Sequence, residues 1–397
     1  MRPEHELILR CARTDLRPSD QSRILDVSRL DLDWSEFLRA AIPHGLSALL
    51  RRHLEPLGGQ TVPVWVLDRL RAESVRATAK SLYLSRQLLE ILRRLEFGGI
   101  DAIPFKGPTL AIQAYGDLSL RSFADLDILV RERDVPAARE VLLSDGYVSP
   151  LDLTPAQFHA LLRAGYNDEL FRASDGVKVE LHWRFAPAYF GFRADLDGWW
   201  ERCEGVLLDG VRVRGLARED LLVLLCVHGA RHAWASLEGV VAVAELIGRT
   251  PDIDWGSTLS RAEQAGAARM VRLGLLLAID LLDARVPGTI VAQVRADRQL
   301  AVLAAKVRNS LFDEIGIGTA SLDESENFSL LSFHLSSKDH WRDRARFCSR
   351  MLATATERDW KAATLPDALF PLYGVIRPFR LLARLPKYGR WLIARSR

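Results

Sequence analysis

Two aspartates stand two residues apart in an otherwise apolar run, Asp125-Leu126-Asp127-Ile128-Leu129-Val130. Because successive side chains of a β-strand point to opposite faces, this run predicts a strand with both carboxylates on one face and apolar residues in a core. Two like charges held this close repel each other unless a positive group lies between them. Mg²⁺ prefers a few carboxylate oxygens together with substrate phosphates, so the run favours metal-dependent phosphoryl or nucleotidyl transfer. The alternative for the same pattern is a solvated face at the edge of a sheet.

A third carboxylate lies in a second alternating segment, Val177-Lys178-Val179-Glu180-Leu181-His182-Trp183. This segment also predicts a strand, on which Glu180 shares a face with Lys178 and His182. If the strand lies beside the aspartate strand, three carboxylates converge. Such a set can hold two divalent ions about 3.5–4 Å apart, which activate the attacking oxygen and stabilise charge on the transferred phosphorus.

A turn that precedes both strands suits phosphate binding. Ile100–Phe105 is predicted to be a short strand, and a helix is predicted over Thr109–Tyr115 directly after Lys106 and Gly107. Backbone N–H groups at such a helix start attract phosphate, and glycine lets the backbone approach a ligand closely. Lys106 can neutralise a phosphate as a point charge. Arg121, four residues before the aspartate strand, is a candidate for another phosphate oxygen.

Hydrophobic periodicity divides the chain into three parts. Residues 1–97 are predicted to form an N-terminal helical region, residues 98–215 a small α/β core, and residues 216–397 a C-terminal helical domain. Within the last part, the spacing predicts a helix over Arg261–Leu282 and a polar, serine-rich loop over Glu324–Ser337.

The net charge, the cysteine pattern and the absence of long apolar runs exclude some classes of protein. A net charge of +3 is too small to indicate nucleic acid as the main partner. The four cysteines form no C-x-x-C pair, so neither a zinc site nor a disulfide framework is expected. The sequence shows no signal peptide and no apolar run of about eighteen residues. We therefore expect a cytoplasmic protein without a membrane span. The sequence does not indicate its oligomeric state.

Other residues have competing interpretations. His182 is either a neighbour of the metal or substrate, or a structural histidine that supports Glu180. His228 and His232 are four residues apart on a predicted helix, but no third and fourth zinc ligand accompanies them, so packing against the core or lining a cleft is favoured. Four tryptophans are candidates for base stacking, although a position in the core is favoured for them: Trp183, Trp199, Trp200 and Trp234. The basic segment 377–397 is favoured as a solvated helix face over a membrane or acidic-partner contact.

The glycine-containing turn, the Asp125-Leu126-Asp127 strand and the later strand with Glu180 together resemble the nucleotidyltransferase superfamily with a DNA polymerase β-like core. More narrowly, the chain is similar to an uncharacterised bacterial nucleotidyltransferase family that is often encoded near peptide natural-product genes, including lasso peptide clusters. The residues that carry the resemblance are Ile103–Gly107, Tyr115–Asp117, Arg121, Asp125–Val130, Gly146-Tyr147, Glu180–Trp183, His228, His232, Trp234 and Leu372–Pro378. The resemblance implies an α+β fold in which a polymerase β-like core lies between two helical regions.

The resemblance also implies a Mg²⁺-dependent nucleotidyltransferase that uses an NTP. Two metal ions, for which Mn²⁺ can substitute, would be bound by the catalytic carboxylates Asp125, Asp127 and Glu180. Nucleotide and phosphate binding would fall to Lys106, Gly107, Arg121 and His182. Glu180 would assist deprotonation of the acceptor, a hydroxyl or phosphate on a peptide or small metabolite.

Two other functions remain open at this point. The fold can transfer a different phosphoryl-linked group, such as a sugar phosphate, or AMP onto a protein. The chain can also be a non-catalytic interaction module built around a degenerate nucleotide-binding core.

Overall fold

A five-stranded mixed sheet lies in the middle of the chain, with helices before and after it. The computed structural model describes residues 1–312, 328–363 and 365–382. The strands of the sheet are Ala102–Pro104 (β1), Asp125–Val130 (β2), Tyr147–Val148 (β3), Asn167–Arg172 (β4) and Lys178–His182 (β5). They lie in the order β1-β2-β5-β4-β3, in which β2 and β5 are parallel and the other pairs are antiparallel. The predicted α+β class is confirmed.

Helices make up most of the rest of the structure. The N-terminal helices are Pro3–Cys11 (α1), Pro18–Ser28 (α2), Trp34–Ala41 (α3), Ser47–Leu54 (α4) and Val64–Phe97 (α5). Among the strands lie Gly107–Leu110 (α6), Val135–Ser144 (α7), Pro155–Ala164 (α8) and Leu196–Glu201 (α9), followed by a hairpin of Glu204–Leu208 (β6) and Val211–Gly215 (β7). The C-terminal helices are Arg218–Arg231 (α10), Leu237–Arg249 (α11), Trp255–Gln264 (α12), Ala268–Leu282 (α13), Gly288–Ala296 (α14), Arg298–Ser310 (α15), Phe328–Ser336 (α16), Trp341–Ala353 (α17), Glu357–Ala362 (α18) and Tyr373–Leu382 (α19). Within the described ranges, none of these helices combines the length and apolar character that a bilayer crossing requires.

The two faces of the sheet have different surroundings. Leu126, Ile128 and Val130 point to one face, where they share a core with the C-terminal half of α5 and with α7. The opposite face carries Asp125 and Asp127. This division follows directly from the alternation of side chains along β2, as the sequence predicted.

Helix α10 lies at the centre of the C-terminal helical part. Most of its residues are buried on all sides, and it packs against α11 and α13. Trp234, just after its end, is fully buried, and its ring fills the space next to Gly229 and Gly274. The end of α10 is therefore held firmly within the helical core.

Two predictions about this part were wrong. The predicted helix Arg261–Leu282 is broken between α12 and α13, where Gly266 adopts a φ of +69° that favours glycine. The predicted loop Glu324–Ser337 contains α16, because Leu330 and Phe333 are buried in the core. Residues 324–327 of that prediction lie outside the described residues, as do residues 383–397 of the basic tail. The division into parts 1–97, 98–215 and 216–397 stays a prediction.

Candidate active site

The pairing of β2 with β5 brings distant carboxylates together. In the parallel register, Asp127 lies beside Glu180, and Asp125 lies beside Lys178. Since paired residues of neighbouring strands share a face, the three carboxylates lie on one surface. This juxtaposition is the arrangement on which the sequence-based hypothesis of a metal site depended.

Asp127 is the most buried of the three carboxylates, with 3% of its surface exposed. Its Oδ1 accepts hydrogen bonds from Lys106 Nζ at 2.9 Å and from His182 Nε2 at 3.1 Å. Burial alone would raise the pKa of Asp127, but the charge of Lys106 and the bond from His182 outweigh it and lower the pKa. Asp127 is therefore ionised at neutral pH.

Glu180 is surrounded by donors. Oε1 accepts a hydrogen bond from Lys178 Nζ at 2.9 Å, and Oε2 accepts one from Asn167 Nδ2 at 3.0 Å. His182 Nε2 is also within 3.3 Å of Oε2. Burial opposes ionisation, but the donors His182 and Lys178 outweigh it and hold the pKa of Glu180 well below its ordinary value. Glu180 is thus ionised as well.

Asp125 is the carboxylate that lacks compensation. Within the described residues, no ion pair or hydrogen bond reaches it. Burial, followed by repulsion from Asp127 and Glu180, raises the pKa of Asp125 to about 6. Asp125 is therefore the carboxylate of the cluster whose charge has no direct partner, and a bound cation would relieve its repulsion from Asp127 and Glu180.

The donor set fits a divalent ion. Ligand atoms of Asp127, Glu180 and His182 all lie within 4.8 Å of one another, and Asp125 adds a further carboxylate on the same face. Carboxylate oxygens suit Mg²⁺ and Mn²⁺, whereas His182 Nε2 is already engaged with Asp127 and Glu180 and orients these carboxylates. The residues present are therefore compatible with the predicted metals.

The turn after β1 lies directly against the aspartate strand. Gly107 has a φ of +53°, and a Cβ at this position would be 3.3 Å from the carbonyl oxygen of Asp125. The turn therefore needs glycine both for its conformation and for its close approach to β2. Lys106, just before it, is brought onto Asp127, so the predicted phosphate turn and the predicted metal site are adjacent. A π-helical turn over Ala111–Tyr115 continues α6, where an ordinary helix was predicted.

Arg121 is placed behind the turn. Its guanidinium is buried, bonds Glu238 Oε1 through Nε at 2.6 Å, and donates from Nη1 to the carbonyl oxygen of Gly107 at 3.4 Å. These contacts link the start of α11 to the turn. A direct bond to phosphate, as predicted from the sequence, would be made in addition to these contacts or in place of them.

Residues of β4 were missed in the sequence. Asn167 contributes the hydrogen bond to Glu180, and the ring of Tyr166, the residue just before β4, lies against that of His182 at 5.7 Å between centroids. The segment Asn167–Arg172 is too polar to indicate a strand, and only its pairing with β5 gives its residues a position in the site. His182 itself contacts both Asp127 and Glu180, which places it within the site rather than behind it.

The tryptophans differ in exposure from His228 of α10 and His232, which follows the end of that helix. Trp183, Trp199, Trp200 and Trp234 are all buried, as the core interpretation requires. In contrast, His232 is exposed and His228 is partly exposed. The charge of Lys106 contributes to lowering the pKa of both imidazoles.

Comparison with known proteins relates the chain to a nucleotidyltransferase family. Residues 31–283 match a protein family described as "Uncharacterised nucleotidyltransferase". Among solved structures, the chain is similar to an antigenic nucleotidyltransferase-like protein from Paracoccidioides brasiliensis, with 11% identity and a TM-score of 0.30, over 54% of this chain and 93% of that chain. No curated protein matches the chain. The family match extends over more than half of the chain and includes every site residue described above.

Proposed function

Since this chain belongs to the uncharacterised nucleotidyltransferase family, we propose that it moves a nucleotidyl group from an NTP to a hydroxyl or phosphate acceptor with the help of divalent metal ions. The observation that carries the proposal is the parallel register that sets Asp127 beside Glu180, with Lys106 bonded to the same aspartate. A solvated sheet edge, the competing interpretation, would leave these groups exposed and apart.

In this proposal, the turn after β1 binds the phosphates. Lys106 supplies a positive charge at the mouth of the carboxylate cluster, and Gly107 brings the backbone close to β2. Arg121 supports the turn from behind through Gly107 and Glu238, since both of its polar contacts lie within the protein. A phosphate that binds here would compete with Asp127 for Lys106.

The carboxylates Asp125, Asp127 and Glu180 would hold the metal, with two Mg²⁺ ions as the expected number and Mn²⁺ as a substitute. When bound, these ions supply charge stabilisation at the phosphorus and lower the pKa of the attacking oxygen. His182 bonds both Asp127 and Glu180 and keeps their side chains oriented. Asn167 does the same for Glu180 from β4.

Glu180 is the candidate for assisting the acceptor. It is ionised at neutral pH, so it can accept the hydrogen bond of an acceptor hydroxyl and help to remove its proton. The hydroxyl oxygen would attack the α-phosphorus and form the new P–O bond, while the bond to pyrophosphate breaks and pyrophosphate leaves. The resemblance to a family found near bacterial peptide natural-product genes supports a peptide or small metabolite as the acceptor.

Mass spectrometry tests the proposal directly. The purified protein is incubated with single NTPs and nucleotide sugars, Mg²⁺ and candidate acceptors, and the mass added identifies the transferred group. We expect a nucleotidyl mass, and we expect D127N and E180Q to reduce transfer by at least about a hundredfold, because each removes a carboxylate that would hold the metal ions. The matched control is E169Q, which neutralises an exposed carboxylate of β4 on the same face of the sheet.

The possible results separate the alternatives. If the acceptor gains the mass of a sugar phosphate, the protein transfers a different phosphoryl-linked group and not a nucleotidyl group. Metal-dependent NTP binding without any transfer would favour the non-catalytic module. Parent rates in folded D127N and E180Q proteins would refute the assignment of the carboxylates.

A further inference from the structure

A series of contacts leads from the carboxylate cluster to the end of α10. The ring of Tyr166 lies 5.7 Å from that of His182, and the guanidinium of Arg231 lies over the ring of Tyr166 at 4.5 Å. Arg231 Nη2 is in turn 3.0 Å from His232 Nε2, and the rings of His228 and His232 are 4.6 Å apart. The two histidines therefore stand beside the site, one helical turn from each other.

The protonation of His232 follows from its partner. A guanidinium can only donate, so His232 Nε2 accepts the bond from Arg231 and the imidazole proton lies on Nδ1. Within the described residues no hydrogen bond to His232 Nδ1 is found, and the residue as a whole is exposed, so this N–H is not used by the protein. His228 is partly exposed, and no hydrogen bond to it is found within the described residues. The pair thus offers ring N–H groups that the protein itself does not use.

The position of the pair is well determined. Directly after His232, Ala233 and Trp234 both adopt positive φ values, 48° and 55°, which non-glycine residues rarely adopt. Trp234 is buried against two glycines of α10 and α13, Gly229 and Gly274, where an added Cβ would be 2.5 and 3.0 Å from its ring. Residues kept in such conformations by their surroundings are concentrated at functional sites.

The charges around the pair are mostly positive. Desolvation by the surrounding protein lowers the pKa of both imidazoles well below the ordinary value, and the charges of Lys106 and Arg231 add to this effect. His334 adds to the same effect on His232, and Glu180 is the carboxylate that opposes it. Neutral imidazoles in a positive field favour an anion, since an anion both accepts their N–H groups and is attracted by the neighbouring cations.

We propose that His228 and His232 bind phosphate oxygens of the nucleotide, as donors that α10 adds to those of the Lys106–Gly107 turn. This inference rests on the proposed function, because it names residues for the same substrate. Arg231 is a positioning residue in this arrangement: it holds His232 in the tautomer that donates from Nδ1. A phosphate bound by both the Lys106–Gly107 turn and the histidines at the end of α10 would connect the α/β core to the C-terminal helices.

The test compares affinities for phosphate anions. Binding of ATP and of inorganic tripolyphosphate, both with Mg²⁺, is measured by calorimetry for the wild type, H232Q, H228Q and the control H53Q. His53 is a partly buried histidine of α4 that bonds the carbonyl oxygen of Arg13, outside the site. We expect H232Q and H228Q to weaken both ligands by about tenfold each, as loss of one bond to a charged group does, and H53Q to stay within twofold.

A second readout separates binding from a structural role. An anion raises the pKa of a neighbouring imidazole, so wild-type protein takes up protons when tripolyphosphate binds. This uptake is measured by calorimetry at neutral pH in two buffers of different ionisation enthalpy. We expect a smaller uptake in H232Q and H228Q and no change in H53Q. Because H228Q alters a more buried position, H232Q alone decides the test if H228Q does not fold.

The outcomes distinguish the two proposals. If the wild type binds ATP but H232Q changes neither affinity by more than threefold, or leaves proton uptake unchanged, the inference is overturned and the proposed function stands. If only the affinity for ATP falls, the histidines contact the nucleoside and the inference is also overturned. If the wild type binds neither ATP nor tripolyphosphate with any divalent metal, the proposed function itself fails.

Discussion

Neutralising Asp125 should stabilise the metal-free protein. The ordinary pKa of this carboxyl is 3.8, and burial with the repulsion of Asp127 and Glu180 raises it to about 6. Each pKa unit corresponds to about 1.4 kcal/mol, so keeping Asp125 ionised in the folded state costs about 3 kcal/mol. Asn has the same shape without the charge, and D125N should therefore raise the free energy of unfolding by up to about 3 kcal/mol at pH 7.5.

The pH dependence has a definite sign. Between about pH 4 and pH 6 the folded wild type binds more protons than the unfolded chain, so its stability falls as pH rises through this window. The advantage of D125N should therefore be complete above pH 6 and shrink to about half, or about 1.5 kcal/mol, at pH 5. Added Mg²⁺ should reverse the difference, because it stabilises the folded wild type by mass action and D125N less.

Urea unfolding in EDTA at pH 5 and 7.5, repeated with Mg²⁺, measures these quantities. The matched control is E169Q, which removes a carboxylate that is exposed and paired with Lys178 on the same face. Such surface pairs contribute about 0–1 kcal/mol, so the control should differ little from the wild type at either pH. A D125N protein that is no more stable than the wild type at pH 7.5 without metal would refute the reasoning that the cluster is under-compensated.

Three other substitutions test how the site is supported. G107A strains a φ of +53° and brings Cβ to 3.3 Å from the Asp125 carbonyl oxygen, so the free energy of unfolding should fall by about 1–2 kcal/mol and nucleotide binding should weaken. The control G176A, with φ +71° and no atom within 4 Å of the added Cβ, should lose stability but keep its nucleotide affinity. Equal nucleotide affinity in both variants would contradict this prediction. E238Q leaves the buried Arg121 without its charged partner and should lower the free energy of unfolding by about 3 kcal/mol in urea titrations, and unchanged stability would show that the pair contributes nothing. N167A removes the bond to Glu180 and should weaken Mn²⁺ binding, measured by electron paramagnetic resonance, by about 10- to 100-fold; parent affinity would count against a role in orienting Glu180.

Local patterns in the sequence predicted much of the site. The alternation around Asp127 and Glu180 gave the two strands and the face of each that carries its carboxylates, because side-chain direction in a strand depends only on position along the chain, whereas the pairing of the strands was a condition that the structure supplies. The φ of Gly107 and its approach to β2 also agree with the turn predicted there. The catalytic and binding roles of these residues stay predictions.

Non-local features could not be derived in the same way. Asn167 belongs to a strand that its own composition does not indicate, and it reaches Glu180 only because β4 pairs with β5. The ion pair between Arg121 and Glu238 joins residues far apart in the chain, so no spacing could reveal it. Helix α16 was missed because its serines suggested a loop, whereas its apolar residues are ordered by burial in the core.

The parallel neighbours β2 and β5 also impose an order on folding. They are not consecutive, and β3, β4, α7 and α8 lie between them in the chain. Pairing of strands that are distant in sequence is generally slow, so we expect β2 and β5 to meet late in folding. A nascent chain that has not yet emerged as far as β5 carries both aspartates but has no third carboxylate. Acquisition of metal affinity during refolding would therefore report a late, global event and could serve as a probe of complete assembly.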